Sequence, residues 1–304
     1  MITITKLKRL ISSIQELGPK IDRLQQSVGR VENRQLSAQP LRNLSDAEFQ
    51  VSSQWGEDGI IQHLIRMVPI QQPIFVEFGV QNYTESNTRF LLCNNQWAGL
   101  VMDGSPEHIQ YIKSDPIYWK YNLKAECAFI DRENINDLIR RNGISGDIGI
   151  LSVDIDGNDY WVWQAIDCIS PRIVICEYNS VFGASAKVTV PYDRTFQRTR
   201  SHYSNLYWGA SIAALDSLAK GKGYILVGSN SAGNNVFFVR RDLTGALRQL
   251  SAAAAYVRSH FRESRDEQGN LTYISHEEGL RLIADMQVFD LDSNSLVKVG
   301  TPIS

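Results

Sequence analysis

One short segment, PIFVEFGVQNYTESNT at residues 73–88, constrains the fold of this chain more than any other. Ile74 to Phe78 predict a buried strand, Gly79 predicts a turn, and the polar residues after it lead into a predicted helix over Ser86 to Asn94. Strand, turn and helix in this order bind nucleotides in open α/β sheets, where the ligand lies beyond the strand. We therefore expect a ligand at Gly79 that donates hydrogen bonds to Glu77, with an ordinary glycine turn as the alternative.

The two common phosphate-binding motifs are missing from the sequence. A GxGxxG dinucleotide motif would need glycines where Gln81 and Thr84 stand, and GxxxxGK[ST] occurs nowhere. Nicotinamide and ATP are therefore poor candidates. A carboxylate such as Glu77 accepts hydrogen bonds from hydroxyl or amino groups, which favours a ligand that presents a sugar or an amino acid.

Short apolar runs alternate with helical segments from residue 98 to residue 240. This order predicts an α/β fold with a doubly wound, mostly parallel sheet of seven strands. Only residues 228–234 separate the last two strands, so they must pair as an antiparallel hairpin. After the first strand, the predicted strands are 98–102, 127–130, 148–155, 172–176, 223–227 and 235–240, and the later predicted helices are 132–143, 160–166 and 209–220.

Acidic residues follow several of these strands. Asp103 stands at the spacing expected for an acid that binds both hydroxyls of a ribose, although a turn aspartate beside a glycine is the alternative. The fourth strand, ILSVDI, shows no alternation and ends in Asp154, Asp156 and Asp159. Clustered carboxylates imply a cation, a cationic ligand or shared protons, unless they cap the next helix. Glu177 ends the fifth strand and should face the same crevice.

Composition narrows the class of protein. With 304 residues, 43% of them hydrophobic, the chain can form one large α/β domain with an appendage. A net charge of -2 gives no reason to expect a nucleic-acid partner. No apolar run approaches the roughly 18 residues of a membrane span, and no secretory signal is recognisable, so a cytoplasmic protein is expected. The four cysteines show neither metal-ligand nor disulfide spacing.

The N-terminal segment carries a heptad pattern. Its apolar residues alternate at spacings of three and four, with mostly β-branched residues at one core position and mostly leucine at the other, which is typical of a parallel two-stranded coiled coil. A helix packed on its own domain is the alternative, and Pro19 should kink or restart the helix. An excess of basic residues also allows weak contact with an anionic membrane surface. The pattern comprises Leu7, Leu10, Ile14, Leu17, Ile21, Leu24, Val28 and Val31.

We therefore divide the chain into an oligomerisation helix (1–35), a linker (36–51), the sheet domain (52–243) and a C-terminal appendage (244–304). In the appendage we expect a helix over 247–262, a helix after Ser275 with a Ser275–Glu278 capping box, and a closing hairpin over 288–299. No chemistry is expected there.

The assembled order resembles the class I S-adenosylmethionine-dependent methyltransferases. Within that class, VEFGVQNYTESNT, LVMDGSPE, ILSVDIDGNDYWVW, ICEYNSVFG, HYSNLYWGAS and GSNSAGNNVFFVRRDL look like the FkbM-like family, over roughly residues 52–243. The resemblance implies S-adenosylmethionine as cofactor and O-methylation of a sugar, polysaccharide, glycolipid or related small molecule. The ExGxGxG pattern of the class keeps only its first glycine here, with Gln81 and Tyr83 at the other two positions.

The resemblance also implies roles for individual residues. Glu77 and Gly79 match the motif near the methionine part of the cofactor, and Asp103 matches the ribose-binding acid. Asp131 lies near the expected adenine contact, and Asp154 matches the acid of the fourth motif.

Two arrangements could activate the acceptor hydroxyl. His202, in the long aromatic-rich loop 180–207, is the leading candidate for the base that removes its proton. Alternatively, Asp154, Glu177 and Asn179 could hold Mg²⁺ against a sugar diol, since this metal prefers oxygen ligands. A different class of function is a non-catalytic scaffold, which works through the coiled coil and has lost cofactor binding with its glycines. The retained Asp103 and Asp154 argue against it.

Overall fold

The computed structural model describes residues 4–38, 41–261 and 263–300. Within these residues a seven-stranded sheet forms the centre of the molecule, and a three-stranded sheet lies beside it. The strands are β1 (Ile74–Phe78), β2 (Ala98–Asp103), β3 (Leu123–Cys127), β4 (Gly146–Val153), β5 (Ile169–Glu177), β6 (Val188–Thr189), β7 (Tyr224–Ser229), β8 (Asn235–Arg240), β9 (Gln287–Asp290) and β10 (Ser295–Lys298).

The large sheet has the order β3-β2-β1-β4-β5-β8-β7. Strands β1 to β5 pair in parallel, and β8 pairs antiparallel to both β5 and β7. The predicted doubly wound, mostly parallel sheet with an antiparallel last strand is therefore confirmed. The chain winds outward in opposite directions from β1 and β4, and such a switch point opens a ligand crevice at the carboxyl ends of the strands.

Apolar side chains cover both faces of this sheet. Val76, Phe78 and Leu151 belong to the core on one face, and Phe75 and Ile150 belong to the core on the other. A strand of a parallel sheet is covered by helices on both sides, so consecutive residues are apolar. This explains why the sequence of β4 lacks alternation.

Helices pack on both faces of the large sheet. The α-helices of the described residues are α1 (Ile4–Ser37), α2 (Glu57–Met67), α3 (Arg89–Asn95), α4 (Pro106–Ser114), α5 (Pro116–Lys120), α6 (Ile135–Arg141), α7 (Asp159–Ala165), α8 (Arg198–Ser201), α9 (Ile212–Gly221), α10 (Ala252–Ala255) and α11 (His276–Leu282). The first crossover helix begins at Arg89, later than predicted, because residues 79–88 form a loop. In the described part of the chain, no helix has the length and apolar character needed to span a bilayer.

The position predicted for the third strand is wrong. Residues 128–130 lie beyond β3, which instead spans Leu123–Cys127 with the mixed sequence LKAEC. This strand pairs only with β2, at the edge of the sheet. An edge strand buries less of its surface than a central one, so its sequence needs fewer apolar residues and gives a weaker signal.

Helix α1 runs through Pro19 without the restart that we predicted as one outcome. A proline removes one helical hydrogen bond and leaves those of the neighbouring turns in place. The helix extends past the predicted boundary at residue 35, and Leu36, Leu41 and Leu44 pack against the core beneath the sheet. The segment predicted as a linker is therefore in contact with the sheet domain.

The C-terminal segment departs most from expectation. The long helix predicted over 247–262 is wrong, because only the single turn α10 forms there. The chain after it is held in an extended path, where the Tyr178 hydroxyl donates to Val257 O (2.6 Å) and accepts from Val257 N (3.2 Å). The capping box of Ser275 and Glu278 is confirmed, and so is the closing hairpin of β9 and β10.

Candidate active site

A cavity of about 720 Å³, including its open mouth, lies where β1, β2 and β4 end. Its position is the one expected for a ligand at a switch point of an open α/β sheet. Its lining combines backbone turns, carboxylates and apolar side chains: Gly79, Gln81, Asp103, Gly104, Ala128, Phe129, Ile130, Asp154, Ile155, Asp156, Asn158 and Phe196.

The turn after β1 forms one wall of this cavity. Gly79 has φ +77°, and a Cβ atom there would overlap the carbonyl oxygen of Asp154, so the close approach of β1 to β4 requires glycine. Gln81 and Tyr83 also have left-handed backbones, with φ values of 48° and 62°. Tyr83 is fully buried, and its hydroxyl lies 2.9 Å from Thr88 Oγ1. The turn thus keeps a glycine-like backbone at the two positions that lack glycine.

Glu77 has neighbours different from those predicted. Its carboxylate accepts hydrogen bonds from Asn87 N (2.9 Å), Thr88 N (3.1 Å) and the Thr88 hydroxyl, and it is not among the residues that line the cavity. Burial raises the pKa of Glu77 to about 7. The predicted bonds to a ligand are replaced by bonds that hold the loop between β1 and α3.

Asp103 lines the cavity and also joins two turns. Its Oδ2 accepts from Gln81 N at 2.8 Å, and its Oδ1 accepts from Ser105 N at 2.8 Å and lies 3.0 Å from His108 Nδ1. A carboxylate has about four acceptor positions, so one remains, on Oδ2. Asp103 can therefore accept one hydroxyl of a ribose in this arrangement, not both as predicted.

Asp131 lies beside the cavity, not in it. Its Oδ1 accepts from Glu133 N (3.0 Å) and Asn134 N (2.7 Å), and its Oδ2 pairs with Arg194 Nε at 2.6 Å. It lines an adjoining open depression of about 660 Å³ that shares Phe129 with the main cavity. The carboxylate of Asp131 is therefore occupied by the start of α6 and by Arg194, and the half-exposed ring of Phe129 is the better surface for a flat base.

Three carboxylates meet at the ends of β4 and β5. Asp154, Asp156 and Glu177 each offer an oxygen, and these oxygens lie within 4.8 Å of one another. Glu177 is buried, and its Oε2 has no hydrogen-bond partner in the described structure. Burial, reinforced by the neighbouring carboxylates, raises the pKa values of Asp154 and Glu177 well above the usual range. Such a cluster is stable only if it shares protons or binds a cation.

A partly buried arginine connects this cluster to the C-terminal segment. Arg198 donates to Asp156 Oδ1 at 2.7 Å and to Glu263 Oε2 at 2.8 Å, and its guanidinium lies 4.3 Å from the centre of the Trp208 ring. The single guanidinium of Arg198 therefore faces four carboxyl groups, the three of the cluster and that of Glu263. Acidic groups outnumber basic ones at this place. The expectation that residues 244–304 carry no chemistry overlooked this contact.

Asn179, which we predicted as a metal ligand, is bound to backbone groups of the loop after β5. Its amide nitrogen donates to Leu206 O (2.8 Å) and Trp208 O (2.9 Å), and its oxygen accepts from Val181 N (3.0 Å). All of these partners are backbone groups. Asn179 therefore anchors the long loop to the end of β5, while Asp156 takes the third position of the carboxylate cluster.

His202 does not line the cavity. Its Nδ1 accepts a hydrogen bond from Ser204 N at 3.2 Å and lies 2.7 Å from Ser204 Oγ. The centre of its ring lies 4.5 Å from the centre of the tilted Tyr203 ring. The neutral ring must then carry its proton on Nε2, and burial lowers the pKa of His202. A general base needs a free lone pair directed at its substrate. This arrangement therefore gives no support to His202 as the base.

Comparisons with known proteins give no family for this chain. No family model matches the chain, and no curated protein does. Similar solved structures include the N-terminal domain of EvdMO1 with SAH bound, which is 10% identical and covers 62% of this chain and 82% of that chain, with a TM-score of 0.42. The CurJ carbon methyltransferase is 10% identical over 60% of this chain and 52% of that chain, with a TM-score of 0.38. A Staphylococcus aureus protein assigned as a caffeoyl-CoA O-methyltransferase is 15% identical. The match covers 77% of this chain and 98% of that chain, with a TM-score of 0.40. These likenesses are distant, and the fold is defined by the strand order of the chain itself.

Proposed function

We propose that this protein is an S-adenosylmethionine-dependent methyltransferase that methylates a hydroxyl of a sugar or a related small molecule. The observation that carries the proposal is the cavity at the switch point, where Gly79, Asp103 and Asp154 meet from three adjacent strands. The antiparallel β8 beside β5 supports it, because the resemblance of the sequence to class I methyltransferases implies this sheet.

The lining of the cavity fits this cofactor. The free acceptor position on Asp103 Oδ2 suits a ribose hydroxyl, and Ala128, Phe129 and Ile130 offer apolar surface for an adenine. The Asp154 carboxylate, which lines the cavity, suits a ligand that carries a positive charge. When bound, the cofactor supplies an electrophilic methyl group.

The carboxylate cluster is our candidate for the acceptor site. Methyl transfer is an in-line displacement, so the protein must align the hydroxyl and remove or mask its proton. We infer that Asp154, Asp156 and Glu177 would hold a divalent cation such as Mg²⁺, because their donors are all oxygen and Glu177 Oε2 is buried without a partner. A cation there would lower the pKa of a bound hydroxyl and orient a diol.

The non-catalytic scaffold is the second candidate. The main argument for it is that Gln81 and Tyr83 replace two glycines of the ExGxGxG pattern. The left-handed backbones of Gln81 and Tyr83 weaken this argument, because the turn keeps the conformation that glycine would give it.

Calorimetry with S-adenosylmethionine and S-adenosylhomocysteine distinguishes the two candidates. We expect heat of binding at one site per chain, followed by formation of S-adenosylhomocysteine when a panel of sugars and sugar-containing glycolipids is added with Mg²⁺. No heat at millimolar ligand would remove the enzyme proposal and leave the scaffold.

A further inference from the structure

An apolar stripe on α1 has no partner among the described residues. Its six members, called the seam below, are each 50–65% exposed, although all are large aliphatic side chains. An amphipathic helix gains most of its stability from burying such a stripe. The seam consists of Ile14, Leu17, Ile21, Leu24, Val28 and Val31.

A different face of α1 attaches the helix to the sheet domain. Gln26 and Gly29 are buried, and Asn33 Nδ2 donates to Gln62 Oε1 at 3.0 Å. A Cβ atom on Gly29 would overlap Val51, so the helix lies directly against the domain there. At 3.6 residues per turn, this attached face lies about 150° around the helix from the seam. For the six seam residues, packing on their own domain is therefore excluded.

We propose that the seam pairs with the seam of a second copy of this chain in a parallel, two-stranded coiled coil. In heptad notation the a positions are Ile14, Ile21 and Val28, and the d positions are Leu17, Leu24 and Val31. β-Branched residues at a with mainly leucine at d favour two parallel strands. The second copy is the occupant that fits, because it supplies the same spacing along the whole length of the seam.

The residues beside the seam are compatible with this pairing. In a parallel pair, each g residue faces the e residue of the next heptad on the other helix. Lys20 then faces Gln25, and Ser27 faces Glu32, so no like charges oppose each other. Lys20 is paired with Glu16 on its own helix at 3.0 Å.

The attachment of the domains also permits this pairing. Each domain is fixed to its helix through Gln26, Gly29 and Asn33, on the side away from the seam. Two parallel helices related by a twofold axis along the coiled coil would carry their domains at the same end and on opposite sides. Neither domain would then lie between the helices.

Sedimentation equilibrium of the full chain tests the proposal. We expect a mass near twice the 34.3 kDa of one chain at micromolar concentration, and the mass of one chain for the double variant Ile21→Glu/Leu24→Glu. Both side chains are exposed in the single chain, so circular dichroism should show an intact fold. The matched control is Arg23→Glu, because position 23 lies between Ile21 and Leu24 in the sequence but is not part of the seam. This variant should remain dimeric.

Three outcomes would overturn the proposal: a wild-type mass of one chain, a wild-type mass of three chains, or a dimer that persists in the double variant. A cysteine variant then tests the orientation. In a parallel pair the two copies of position 24 lie side by side, so Leu24→Cys should form a disulfide-linked dimer under mild oxidation, while Arg23→Cys and the wild type should not. A dimeric Leu24→Cys variant that fails to crosslink contradicts parallel pairing.

Discussion

Asp103 both faces the cavity and links two turns, and this double role determines the effect of replacing it. Asp103→Ala removes the proposed acceptor for a ribose hydroxyl and two bonds to backbone N–H groups. We expect the affinity for S-adenosylhomocysteine to fall by about 1.5 to 3 kcal/mol, or roughly 10- to 150-fold, as measured by calorimetry. Asp137→Ala, at an exposed position on α6, should bind as the wild type does. Unchanged affinity in Asp103→Ala would show that Asp103 does not contact the cofactor.

The carboxylate cluster leads to a second prediction at this scale. If Asp154, Asp156 and Glu177 hold a cation against the acceptor, EDTA should abolish methyl transfer and Mg²⁺ should restore it. Glu177→Gln should lower the rate by about 10² to 10⁴ while cofactor affinity stays the same, because the change affects only the acceptor side.

Two control variants sharpen this test. Glu267→Gln changes an exposed glutamate, and His202→Ala removes the alternative base; both should keep nearly the wild-type rate. Full activity in EDTA combined with an inactive Glu177→Gln would mean that the carboxylates share a proton instead. A large loss in His202→Ala would return the histidine to the mechanism.

Residue type and position relative to a strand were enough to place Gly79, Asp103 and Asp154 at the cavity. They were not enough for Asn179 and His202, whose partners are mainly backbone groups of their own loop. Such partners leave no pattern in the sequence. The pairs that Arg198 makes with Asp156 and Glu263 join distant parts of the chain, so they too could be found only in the folded structure.

At the scale of elements, the contact between β1 and β4 gives a prediction about stability. Gly79→Ala combines a left-handed backbone with an overlap between its Cβ and the Asp154 carbonyl, so the two strands must separate. Gly146→Ala is the matched control, because Gly146 has φ +69° but no atom near the position of a Cβ. We expect a loss of about 1–2 kcal/mol of unfolding free energy for Gly146→Ala, and a loss at least twice as large for Gly79→Ala. Equal losses in urea titrations would show that the strands can move apart freely.

Central elements were easier to predict than peripheral ones. The strands β1, β4 and β5 are largely buried, so apolar residues cluster in each of them without alternation. The edge strand β3 has no such run. The segment 247–262 has helix-forming alanines, but the Tyr178 and Ser229 side chains bind its backbone and hold it out of a helix beyond α10. Tertiary contacts there outweigh local propensity.

At the scale of the whole molecule, the site depends on segments far apart in sequence. The cavity is formed by β1, β2 and β4, while Arg198 from the loop after β5 and Glu263 from the C-terminal segment complete the surroundings of the carboxylates. The predicted boundary at residue 243 therefore separates residues that meet at one site. The alternation of strands and helices predicted a mostly parallel sheet, but it gave no information on how the chain returns to the site after the sheet is complete.

The last prediction concerns the pH dependence of global stability. Burial raises the pKa of Glu77 from its ordinary value of 4.5 to about 7, so between these values the folded protein binds a proton that the unfolded chain has released. The contribution of Glu77 to stability is therefore greatest below about pH 4.5 and is lost as the pH rises towards 7. Urea unfolding across this window should show a steeper fall of unfolding free energy with pH in the wild type than in Glu77→Gln, which does not titrate. The slope, and not the absolute stability, is the measurement, because the amide also changes the hydrogen bonds to Asn87 and Thr88. Identical slopes would mean that Glu77 is ionised throughout and that its bonds to the loop outweigh the cost of burial.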